Sequence, residues 1–161
     1  MENTLNSIKS VVKNKDLLKG IKDIITENKK LTKKNESYKS LEVNILSENV
    51  LKKKEKINGI NLITQKVELD AEGMKTLSFK LRKSEENLIL VLASEHDNKA
   101  LLTVMITDDL IKSKDLNASK MIREISIEIN GGGGGQSFFA TAGGTNLSGI
   151  DNALEKVKQL I

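Results

Sequence analysis

The first third of the chain carries a repeating register, Leu17, Ile21, Ile24, Asn28, Leu31, Asn35, Tyr38, Glu42 and Ile45, at alternating spacings of four and three. This is a heptad track. One seam is good (Leu17, Ile24, Leu31, Tyr38, Ile45) and the other is poor (Ile21, Asn28, Asn35, Glu42). Asn in a seam weakens a coiled coil and restricts its register. The pattern therefore predicts a long helix to about residue 56, packed in part on a short first helix with the stripe Leu5, Ile8 and Val12. Asn14-Lys15-Asp16 marks the break between them, with Asp16 capping the second.

After Gly59 the period changes. Ile60 to Val67 reads as a strand, and Asp70 caps a helix through about Lys83. Leu88 to Ala93 is a continuous apolar run, the mark of a strand buried on both faces. His96-Asp97-Asn98-Lys99 is a turn, and Leu101 to Ile106 a second buried strand, so 88–106 reads as a hairpin. Asn117 caps a helix with Ala118, Met121, Ile122, Ile125 and Ile129 on its apolar side. A short segment Ser137 to Ala142 and a last helix from about Ser148 to Ile161 follow. The expected fold is α/β with α+β character. A helical, coiled-coil-like arm (1–57) precedes a small globular domain (58–161) with helices packed on a mixed sheet.

The charge follows the same border. Residues 1–58 hold 14 Lys against 8 acids; residues 59–161 hold 10 Lys and 2 Arg against 14 acids. A basic first third on a near-neutral body fits either a solvated lysine-rich helix or an electrostatic arm for a polyanion. Lys29, Lys30, Lys33 and Lys34 fall at b, c, f and g of the heptad, away from the seam. The 29/33 and 30/34 pairs repel by a few tenths of a kcal/mol at that spacing, a cost offset by an anion opposite. Lys52, Lys53, Lys54 and Lys56 form a second patch. No aromatics interleave with either, which argues for a phosphate backbone read by shape rather than for base stacking.

Catalytic chemistry is hard to assemble. With no Cys there is no disulfide framework, thiolate nucleophile or Cys-type zinc site, and a cytoplasmic location is expected. The one His, His96, sits in a turn. Asp109 reads as a helix cap ahead of Leu110-Ile111. No window is apolar for about 18 residues, so no membrane span is expected. Met1-Glu2-Asn3-Thr4 does not open a signal peptide.

Gly131 to Gly135 lies between two apolar segments, and two of the three Phe residues follow at once. A linker is solvated on both sides. The run instead reads as a formed loop, its glycines present for positive φ or close approach. Its backbone N–H groups, those of Gly132, Gly133 and Gly134 among them, are then candidates to face an anion or a partner. It lacks the Lys that ends a nucleotide P-loop.

Asn117-Ala118-Ser119-Lys120-Met121-Ile122-Arg123-Glu124, the glycine run, and Ala140-Thr141-Ala142-Gly143-Gly144-Thr145 with a closing helix resemble the C-terminal region of alanyl-tRNA synthetases, a DHH-associated domain. Many family members have Arg-Pro-Asp-Met where this chain has Gln136-Ser137-Phe138-Phe139. The resemblance implies a non-catalytic tRNA-binding appendage of an ATP-dependent alanine–tRNA ligase. Such an appendage contacts the outer corner of alanine tRNA by shape and phosphate charge, and supports aminoacylation and editing by the full enzyme. ATP, magnesium and zinc would serve upstream domains, and this chain would need no cofactor. Implied partners are tRNA, those upstream domains and a second copy of the chain, with no membrane. Two alternatives stay open: an oligomerisation module of the synthetase, or the accessory nucleic-acid-binding domain of a DHH phosphoesterase.

Overall fold

The computed structural model describes Ser7, Val11, Val12 and residues 16–161. Leu5, Ile8 and the break at Asn14-Lys15 lie outside the described residues. Helix α1 spans Leu17–Leu51. Asp16 caps it, its Oδ1 accepting from Lys19 N at 3.1 Å.

The helix stops at Leu51 rather than near residue 56. Lys53 N and Lys54 N turn back onto Val50 O and Leu51 O. The chain then enters a strand absent from the sequence reading, β1 (Glu55–Ile57), which pairs antiparallel with β2 (Ile60–Lys66). Ile57 faces Ile60 across a two-residue turn, with Asn58 at φ 50° and Gly59 at φ 80°. Two central residues in the left-handed region are what a type I′ hairpin needs, and Asn-Gly supplies them. That turn outweighs the helix propensity of the lysines before it.

The chain divides into two compact units, Met1–Glu42 and Val43–Ile161. In the first, Leu18, Ile21, Ile24, Leu31 and Tyr38 of α1 are exposed. The second, the body, includes the last turns of α1 as well as β1, which composition assigns to the arm. Val43 and Val50 are buried there, with Leu46 and Leu51 partly buried beside them.

The body is a six-stranded sheet in the order β1-β2-β3-β4-β6-β5. β3 is Leu88–His96, β4 Lys99–Ile106, β5 Gly131–Gly135 and β6 Phe139–Gly144. β2 and β3 are parallel, joined through helix α2 (Ala71–Ser84); the other pairs are antiparallel. Parallel neighbours need such a crossover. β3 and β4 form the expected hairpin, turned by Asp97 and Asn98 at φ 50° and 56°.

Side chains of β3 alternate between two cores, as a strand covered on both faces must. Leu88, Leu90 and Leu92 join Met74, Leu77 and Leu81 of α2 and the end of α1. Ile89, Val91 and Ala93 join helices α3 (Asp108–Lys114), α4 (Ala118–Ser126) and α5 (Ile150–Lys156) through Leu110, Met121, Ile122, Ile125, Ile150 and Ala153. The result is the expected α/β architecture of helices on a mixed sheet. Asp70 and Asn117 cap α2 and α4 as read. Asp109 does not cap α3: Thr107 holds that position, and Asp109 Oδ2 accepts from Asn87 N at 2.8 Å.

The glycine run is not a loop. It is β5, the edge strand beside β6. None of its five residues has a positive φ, so close approach alone calls for glycine. A Cβ on Gly131, Gly133 or Gly135 would collide with the backbone of β6, whereas Gly132 and Gly134 face open space.

Candidate nucleic-acid interface

The sequence nominates three groups, one on the first unit and two on the body. Lys29, Lys30, Lys33 and Lys34 lie on the part of α1 in the first unit, all exposed. Lys29, Lys30 and Lys33 line one shallow groove with Ile24, Asn28 and Thr32. Lys34 Nζ stands 5.8 Å from the centre of the Tyr38 ring, a cation–π distance. None of the four is ion-paired among the described residues.

Lys52, Lys53 and Lys54 form the turn after α1, and Lys56 lies in β1. All four are exposed, but they are not equivalent. Lys54 Nζ is 2.9 Å from Glu85 Oε2, so its charge is already answered. Lys52, Lys53 and Lys56 have no such partner among the described residues.

Gly132, Gly133 and Gly134 lie on β5, the opposite edge of the sheet from β1. Five strand intervals of about 4.8 Å put them roughly 24 Å from Lys56. The glycines and the second lysine patch therefore form separate surfaces of the body. An edge strand leaves half its N–H and C=O groups unpaired by the sheet, which is the chemistry β5 can offer.

The departure at 136–139 has a packing explanation. Gln136 N bonds Phe139 O at 2.8 Å, closing the β5–β6 connection. Phe138 and Phe139 then pack on Phe79 of α2, with ring centroids 6.2 and 5.0 Å away. The Arg82 guanidinium lies 4.1 Å from the centre of the Phe138 ring and 2.6 Å from Asp108 Oδ1. This cluster escapes sequence reading because its members come from three distant segments.

Helix α2 carries cations that the sequence reading passed over. Lys75, Lys80 and Lys83 share a groove with Phe79, and Lys80 Nζ donates to Asn44 Oδ1 and Ser47 Oγ on the last turns of α1. The available signal is the i,i+4 ladder of Lys75, Phe79 and Lys83, with Lys80 three residues before Lys83.

His96 is half-exposed in the β3–β4 turn, its Nε2 3.6 Å from Asp97 Oδ2. Among the described residues, no three His, Asp or Glu side chains converge to hold a metal ion. Nor is any described helix long and apolar enough to cross a membrane.

Residues 59–161 match the DHHA1 domain. Over 162 aligned positions the protein is 41% identical to an alanine–tRNA ligase of Cytophaga hutchinsonii, covering 99% of this chain and 18% of that one. A second, from Christiangramia forsetii, is 41% identical over 160 positions with the same coverage. One from Bacillus mycoides is 33% identical over 148 positions, covering 91% of this chain and 17% of the relative. The chain thus spans less than a fifth of the relatives it matches. Among solved structures, the C-Ala domain of Aquifex aeolicus alanyl-tRNA synthetase superposes with a TM-score of 0.61 at 24% identity, covering 66% of this chain and 96% of that domain. That likeness is one of fold. With five of its six strands and helices α2 to α5 inside the matched residues, the chain belongs to the DHHA1 domain family.

Proposed function

We propose that this chain is the C-terminal tRNA-binding part of an alanine–tRNA ligase. It holds the outer corner of alanine tRNA by shape and phosphate charge while other domains carry out ATP-dependent aminoacylation and editing. The observation that carries the reading is the run of exposed lysines at 29, 30, 33 and 34 of α1, none of them ion-paired among the described residues. Similarity to alanine–tRNA ligases over 99% of the chain supplies the context. Functionally the arm, residues 1–57, supplies charge and reach, and the domain from residue 58 supplies a rigid platform. By itself the chain neither activates alanine nor deacylates tRNA, and it works in the cytoplasm with the enzyme's upstream domains.

A second reading has its own support. Leu18, Ile24, Leu31, Tyr38, Leu41 and Ile45 of α1 are all more than half exposed, and such a face suits a second copy of the helix. Titrating the chain with alanine tRNA at two salt concentrations, alongside sedimentation, separates the two. Binding that weakens steeply with salt supports the RNA reading, because counterion release drives it. Salt-insensitive self-association with no tRNA binding at low salt refutes it.

A further inference from the structure

Outside α2, the body from residue 59 on is acidic, yet α2 concentrates Lys75, Lys80, Arg82 and Lys83 against Glu72 alone. Its inner side, Met74, Leu77, Ser78 and Leu81, is buried. On its outer side Glu72, Lys75, Thr76, Phe79, Lys80 and Lys83 line a groove. Arg82 is committed to the fold through Phe138 and Asp108. Among the described residues the other three cations have no ion pair: Lys80 bonds the neutral Asn44 and Ser47, and Lys75 and Lys83 meet no acid. Three like charges over about 12 Å of helix axis repel one another unless an anion lies across them. Between them sits Phe79, part-exposed, in a cluster that gathers all three Phe residues of the chain.

We propose that this outer face of α2 docks an RNA strand, Lys75, Lys80 and Lys83 holding successive phosphates while Phe79 takes an unpaired base. Cations alone fit any polyanion. A ring set among them selects a strand with free base faces, since bases stack on aromatic side chains and paired helices keep theirs covered. The proposal rests on the reading of the chain as an RNA binder and gives the body a contact of its own, on α2.

The test uses the full chain, an alanine tRNA transcript, and a fully paired RNA duplex of equal nucleotide number. Lys75→Gln with Lys83→Gln should lower the slope of log affinity against log salt by about 0.7–0.9 per lost contact. Phe79→Leu should weaken tRNA binding roughly ten-fold and leave duplex binding unchanged. Phe79→Tyr keeps a ring and should keep the affinity, which distinguishes loss of stacking from damage to the body. If these variants bind tRNA as the wild type does, while Lys29→Gln with Lys33→Gln does not, the α2 face is overturned and the tRNA reading stands. Equal losses in Phe79→Tyr and Phe79→Leu overturn the stacking role. A wild-type chain that binds no RNA removes both readings.

Discussion

Two adjacent glycines of β5 should respond to alanine with opposite signs. A Cβ on Gly133 would stand 2.5 Å from Ala142 Cβ and nearer still to Thr141 O. Carbon atoms pack at about 3.5–4.0 Å, so β5 and β6 must separate by roughly 1 Å. Overpacking of that kind costs about 1–3 kcal/mol, in the range of one or two ladder hydrogen bonds at about 0.5–1.5 kcal/mol net each. Gly132 has nothing within 4 Å of its Cβ position and no positive φ. Alanine there restricts the unfolded chain and should stabilise by about 0.4–1 kcal/mol. Amide hydrogen exchange on β5 and β6 reads both effects locally. Gly133→Ala should reduce protection roughly ten- to hundred-fold, following the conversion of about 1.4 kcal/mol per factor of ten; Gly132→Ala should raise it. Equal protection in the two variants would refute the alternating close approach and return the run to a role as a flexible connector.

Three further outcomes are expected. Lys29→Gln with Lys33→Gln should lower the salt slope of tRNA binding by about 0.7–0.9 per lost phosphate contact, with helicity by circular dichroism unchanged because Gln is a comparable helix former; an unaltered slope would make these lysines a solvated face. Val50 is 1% exposed against the α2 side of the sheet, so Val50→Ala should cost about 1–3 kcal/mol in urea unfolding, and a chain starting at residue 43 should melt higher than one starting at 58. Gly59→Ala, at φ 80°, should cost about 1–2 kcal/mol, and a smaller loss would mean the turn relaxes to another type.

The caps of α2 and α4, the buried hairpin and the amphipathic helices were legible because each rests on local chemistry: Asp70 and Asn117 bond their own first turns, and β3 shows its double burial as an unbroken apolar run. What escaped was decided by pairing partners rather than by the segments' own side chains. Gly131–Gly135 has no side-chain period to betray a strand; β6 makes it one. β1 hid in a lysine-rich stretch, although Asn58-Gly59 is a strong hairpin signal that a helix reading overrode. Of the site, the sequence supplied the arm lysines and the glycines as separate groups. It could not show that Lys54 is neutralised by Glu85, or that Phe79 sits among the cations of α2.

The order of strands also sets a hazard during synthesis. β4 lies inside the sheet, but its second neighbour, β6, is made only after α3, α4 and β5. At usual elongation rates of 5–20 residues per second, residues 107–144 take about 2–8 s. A two-residue hairpin such as β3–β4 forms within about 10 μs. For those seconds β4 is an open edge carrying Leu102, Val104 and Ile106, all buried in the finished fold, and an apolar open edge templates pairing with other chains. A ribosome stalled before Phe139 would release a product prone to aggregate, and the glycine strand with its partner serves as the closing cover of the sheet.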